Sequence, residues 1–166
     1  QTDQKFHAMG EPQIGPGKTE RFEASARDTG RMRVTNDPAD AYAFLTPSLR
    51  NVTATGPWGH AGAFSDLAAF LRHHTHPASG MRGYDIANAI LPALPESKKG
   101  DLQILKSPGD VAAIAAAAKG QKSVDLSAEE TAEIIAFLAS LRDQAAIDGR
   151  MGVPAEVPSG LPVDRK

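Results

Sequence analysis

Cysteine is missing altogether. Its absence excludes disulfides and zinc–thiolate sites, and it excludes haem attachment through a C-x-x-C-H motif within this chain. No apolar run approaches the roughly 18 residues that a membrane span requires. Charge of one sign is not in excess either. The 18 Lys and Arg against 20 Asp and Glu leave a formal net charge of -2, without the concentrated basic face that a nucleic-acid partner normally demands. No secretory leader is visible, since Gln1 opens a polar stretch, as a mature protein or a processed fragment would. H-E-x-x-H, G-x-S-x-G and a P-loop are lacking. Gly15-Pro16-Gly17-Lys18-Thr19 superficially suggests a phosphate loop, but its first glycine is misplaced and no strand–helix context follows. There is no internal repeat and no β-hairpin signal.

What is present suits one domain with a modest core. Residues of hydrophobic type make up 41% of the 166, while 15 Gly and 12 Pro call for much irregular structure. Residues 1–40 read as extended loop, with Phe6-His7-Ala8-Met9-Gly10 as their compact apolar cluster. Residues 41–64 carry Pro47, Gly56, Pro57, Gly59 and Gly62, too many breakers for a long helix, and read as an ordered loop. The first helix is expected from an N-cap at Ser65 or Asp66, ended by Pro77 and Gly80. A short helix is expected around Tyr84–Leu91, stopped by Pro92 and Pro95. Ser107-Pro108 offers an N-cap with proline at the first helical position, leading into the alanine-rich 111–119. Ser127 and Glu130 form an S-x-x-E capping box. Behind it, Thr131, Ile134, Ile135, Phe137, Leu138 and Leu141 make a broad apolar stripe. After Gly149 come Val153-Pro154, Val157-Pro158 and Leu161-Pro162, a tail that cannot be helical. It reads either as a surface strap or as a disordered end. The expected class is mainly α, with a domain over 1–148 and a Pro-rich tail over 149–166.

Five histidines occur, at 7, 60, 73, 74 and 76. Leu67, Phe70, Leu71 and His74 fall at helical spacing, which puts His74 on the expected inner face. Neighbouring helical residues point about 100° apart, so His73, with His76, is expected mainly to face solvent. His74 is open to two readings, a hydrogen-bonded core histidine or a metal ligand in an apolar pocket. Arg50, on a loop rich in apolar groups, would either meet a carboxylate or solvent, or anchor an anion.

That loop carries a resemblance. Phe44, Thr46-Pro47-Ser48-Leu49-Arg50-Asn51-Val52, Thr55, Pro57, Trp58, His60, Gly62 and Leu67 resemble the loop and following helix in the second haem domain of di-haem cytochrome c peroxidases and MauG-like proteins. Phe6-His7-x-x-Gly10 resembles the segment that follows their second C-x-x-C-H. Asn36-Asp37-Pro38-Ala39-Asp40 is similar to the stretch leading to the loop, Glu130 to Leu141 to the closing helix, and Val157-Pro158-Ser159-Gly160-Leu161-Pro162 to a common tail. Trp58-Gly59 stands where the family has another aromatic pair, and Ala61 where it has Asp.

The resemblance implies a cytochrome c-like haem domain, of periplasmic location, that belongs to a peroxidase or MauG-like oxidoreductase. It implies haem c held through a C-x-x-C-H segment outside this chain, on a second polypeptide or an N-terminal segment. A small redox protein would be the electron donor. The family's distal axial ligand lies fourteen residues after the loop histidine, a position held here by His74, with Met81 as the fallback. Two histidine ligands would lower the haem's potential relative to His–Met. The resemblance also implies calcium between the two haem domains, with backbone carbonyls at Thr55 and Pro57 among its ligands, as suits a hard cation. Arg50, His60 and Trp58 would line the cofactor or the inter-domain contact. His60 fixing the loop is an equal alternative. Since the family's peroxide-reacting haem sits in the N-terminal domain, this chain would serve electron transfer and haem packing, and alone would be inactive. Rival readings are a non-catalytic electron-transfer or haem-binding module and a haem-free interaction domain.

Overall fold

The structure is a computed structural model, and it describes residues 2–15, 26–91, 102–149 and 156–161. The described residues are mainly helical. Their order is β1 (Phe6–His7), α1 (Met32–Thr35), β2 (Phe44–Leu45), α2 (Leu67–Thr75), α3 (Pro77–Arg82), α4 (Pro108–Ala117), α5 (Ala128–Ser140) and α6 (Gln144–Asp148). Short 3-10 turns occupy Pro38–Asp40, Val52–Ala54, His60–Gly62, Ile86–Asn88 and Ala118–Gly120. β1 and β2 form a small antiparallel ladder, with Phe6 opposite Leu45 and His7 opposite Phe44.

Local chemistry explains where the helices begin. Asp66 accepts from the Ala69 amide at 2.7 Å and opens α2. Ser107 caps α4 with Pro108 at its first position. Ser127 accepts from the Glu130 amide at 3.1 Å while Glu130 accepts from the Ser127 amide at 2.8 Å, completing the capping box of α5. Each cap satisfies amides that have no partner inside the helix.

Two apolar clusters meet at Leu105. One gathers Tyr42, Met81, Ile104, Ile114 and Ala115, and the other Ile14, Ala63 and Phe64 with Trp58, Phe70 and Tyr84 against them. Between the helices runs an irregular buried segment, Gly10–Ile14. Gly10 has φ +61°, and a β-carbon there would stand 2.8 Å from the Pro77 carbonyl oxygen. Only glycine gives both the backbone conformation and the clearance.

Several expectations are corrected. Pro77 does end α2, but it also occupies the first turn of α3, where its missing N–H costs no hydrogen bond. Gly80 lies inside α3 and does not terminate a helix. The helix expected around Tyr84–Leu91 reduces to the Ile86–Asn88 turn capped by Asp85. Pro92 and Pro95 lie outside the described residues. Among the described residues of 1–40 the chain makes β1, one turn of helix, α1, closed by Asn36 at φ 56°, and the Pro38–Asp40 turn. The stripe of α5 is only half-buried, and Phe137 is 59% exposed. In the tail, Val157–Gly160 forms a turn and Leu161 is exposed, whereas Val153-Pro154 and Pro162 lie outside the described residues.

Ile114 is fully buried at the contact of α3 and α4. Ile114→Ala is expected to destabilise the fold by about 2–5 kcal/mol. Phe137→Ala should stay within about 0.5 kcal/mol, as exposed positions do. Urea titration of both variants checks the contrast, and a large loss at Phe137 would show that its face is covered.

Candidate functional site

The site forms where α2, the 58–64 loop and the buried 10–14 segment meet. The loop is closed by reciprocal backbone hydrogen bonds between Trp58 and Phe64, at 2.7 and 2.9 Å. Trp58 donates from Nε1 to the Val52 carbonyl at 2.7 Å, and its ring packs on the Phe64 cluster. His60 stacks on Phe44 with ring centres 4.5 Å apart. Its Nε2 stands 3.6 Å from Asp28 Oδ2. Burial lowers the His60 pKa and the Asp28 charge opposes that shift.

Asp28 is itself oriented. Its Oδ1 accepts from the Gly30 amide at 2.9 Å. The buried Gln13 side chain pairs with the Asp28 backbone in both directions, accepting from its amide at 2.9 Å and donating to its carbonyl at 2.7 Å.

The histidine pair on α2 is arranged differently from the helical-periodicity expectation. His73 is the buried ring, 4% exposed, and His74 is half-buried. The large apolar side chains at 67, 70 and 71 pointed to the row through His74. The deepest row instead passes through His73, because α3 and the chain near Met9 cover that side. His73 donates from Nε2 to the Met9 carbonyl at 2.9 Å. Burial drives its pKa down to about 4, so the ring is neutral.

His74 donates from Nδ1 to the Phe70 carbonyl at 3.1 Å. A carbonyl can only accept, so this bond assigns the proton to Nδ1 and leaves the lone pair on Nε2. Burial also lowers the His74 pKa, opposed by that hydrogen bond. The ring packs edge-on to Phe70, 4.3 Å between centres. Its Nε2 lies 3.7 Å from Glu11 Oε1.

Glu11 carries no sequence signal and links the site's two halves. One oxygen faces His74, and the other lies 3.4 Å from the His60 amide. Burial pushes its carboxyl up to about 7, with the His60 N–H pulling the other way. A low-dielectric setting disfavours charge on both partners. The Glu11–His74 approach is therefore a contact of weakly charged groups rather than a strong ion pair.

The remaining sequence-nominated residues are not part of this cluster. Arg50 is 63% exposed at its side chain and pairs with Asp143, the N-cap of α6. Its neighbour Asn51 is buried and accepts from the Asp143 amide. Of the two roles weighed for Arg50, the structure displays the carboxylate contact. Thr55 and Pro57 are exposed on the bend before Trp58. Met81 is fully buried on α3, in the cluster with Tyr42, Ile104 and Ile114, and would have to leave that core to reach a ligand. Among the described residues no three His, Asp or Glu side chains are grouped to hold a metal ion by themselves. What the arrangement offers at His74 is an imidazole with a fixed tautomer, whose Nε2 lone pair lies 3.7 Å from the Glu11 carboxyl, in an aromatic setting.

Comparison with protein families, with curated proteins and with solved structures finds no match to this chain.

Asp143 supplies the pH dependence that follows most directly. Its carboxyl lies below the usual carboxylate range because it accepts from the Ala146 amide and, second, from Arg50. A folded value below the unfolded one adds stability that is present above the unfolded pKa and lost as pH falls through the folded pKa. Asp143→Asn should flatten the acid limb of a stability–pH profile measured by thermal melting. An unchanged acid limb would remove this pair from the account.

Proposed function

We propose that this chain supplies the distal side of one c-type haem in a periplasmic di-haem peroxidase or MauG-like oxidoreductase, with a cytochrome c-like fold. One observation carries the reading. The position that the resemblance assigns to the axial ligand, His74, is an imidazole whose Nδ1 proton is committed to the Phe70 carbonyl, leaving Nε2 as a lone pair. Metal-ligating histidines are typically fixed through the other ring nitrogen in this way. They must also be neutral to bind, and burial favours the neutral ring here.

When bound, haem would supply one-electron chemistry that no side chain in this chain offers. The chain's own residues bind and orient. His74 presents Nε2, Phe70 holds its tautomer, and Phe64 and Phe70 provide apolar packing. Trp58 and His60 fix the 58–64 loop beside it. The C-x-x-C-H segment lies outside this chain, and a small redox protein is the proposed electron donor. Calcium would draw on the backbone carbonyls of the exposed Thr55 and Pro57, with further ligands from outside this chain.

A second reading has one observation in its favour. The Glu11 carboxyl stands at His74 Nε2, as it would in a haem-free interaction domain that kept the loop. Purified complete protein without a Soret band would decide for that reading.

In the haem-bearing protein, His74→Ala is expected to abolish the six-coordinate low-spin optical spectrum of one haem. A spectrum that keeps its low-spin bands removes His74 as the ligand.

A further inference from the structure

We propose that His73 is the positioning residue of this site. Its ring, held between the Met9 carbonyl and Gly80, sets the rotation of α2 and so the direction in which His74 presents Nε2. The inference rests on the reading of His74 as an axial ligand.

Three observations carry it. First, His73 makes a bond that crosses between elements. Its Nε2–H reaches the carbonyl of Met9, 64 residues away in sequence. The bond from His74 to Phe70 lies within α2 and turns with the helix, so it cannot fix the helix against its surroundings. Second, the ring has no freedom. A β-carbon on Gly80 would fall 2.6 Å from His73 Nδ1, and the Phe64 ring stands 5.2 Å away on another side. Third, the ring retains an unmet cost. Nδ1 is buried with no hydrogen-bond partner. An apolar side chain of similar volume would remove this buried, unpaired nitrogen but would leave the Met9 carbonyl without its donor. The directional bond to Met9 is what such a replacement would lose.

The geometry then couples the two histidines. Adjacent helical residues are separated by about 100° of rotation. Pinning the azimuth of His73 therefore pins that of His74, whose ring lies 6.0 Å from it at a steep angle. A ligand directed from a helix tolerates little rotational error, since supporting residues around metal ligands are worth roughly 10- to 100-fold in affinity.

The test uses the complete haem-loaded protein and reads the low-spin EPR g values and the reduction potential of the haem that His74 faces. His73→Leu is expected to shift both and to weaken imidazole ligation about tenfold, the low end of that range. His73→Gln, whose side-chain amide can still donate to the Met9 carbonyl, should restore most of the wild-type signal. Wild-type g values and potential in His73→Leu, with only a lower melting temperature, would reduce His73 to core packing and overturn the inference. Should His73→Leu fail to fold, Gly80→Ala decides, because its new methyl group must displace the ring. A shift in the same direction supports the role, and an unshifted signal overturns it. His74→Ala runs in parallel. If that variant keeps the low-spin signal, the ligand reading itself fails, independently of His73.

Discussion

The rest of this structure depends on how an irregular, buried length of chain, Gly10–Ile14, is tied to the elements around it. The segment lies in no helix or strand, so side-chain contacts hold it in place. His73 reaches the Met9 carbonyl just before it. Gln13 turns its amide onto the Asp28 backbone, and Glu11 lies beneath the His60 amide. Gly10 lets the segment pass against the Pro77 carbonyl. Through these contacts the segment locates α2, the start of α3, the chain at Asp28 and the 58–64 loop at once. The candidate site is the place where those four meet.

Burial also sets the electrostatic character of the site. His60, His73 and His74 all have depressed pKa values, and Glu11 a raised one. The common cause is desolvation, which disfavours whichever form carries charge. The site is thereby tuned toward neutral imidazole rather than toward a charged acid–base pair. That state suits ligation, where a lone pair is needed, better than it suits anion capture. Arg50, the fixed cation on the breaker-rich 41–64 loop, is engaged at the α6 cap instead.

Much of the helical layout was legible from the sequence, because helix starts are local events. The Ser127–Glu130 box, the Ser107-Pro108 start and the Asp66 cap each involve partners within three residues. Pro77 was legible as a break but not as a beginning. Proline forbids continuing α2, yet whether the chain then turns away or starts α3 depends on what packs beyond it. Here His73 and Gly80 nest together, and α3 lies against α4. Phe137 was misjudged for the converse reason. Its position on an amphipathic helix suggested cover, but nothing among the described residues packs over it enough to bury it.

The sequence by itself determined the helix caps, the breaker-rich loop with Trp58 and His60, the absence of any in-chain haem attachment motif, and the presence of a histidine pair on one helix. Only the tertiary structure decided which histidine is buried. Helical periodicity weighs side chains by hydrophobicity, but the inner face of a helix is set by what lies against it. The partners of His73 are Met9 and Gly80, the first 64 residues away and the second on another helix. Glu11 was invisible for the same reason. A carboxylate between Gly10 and Pro12 carries no local mark of burial, and its elevated pKa arises only when the loop and α2 close over it.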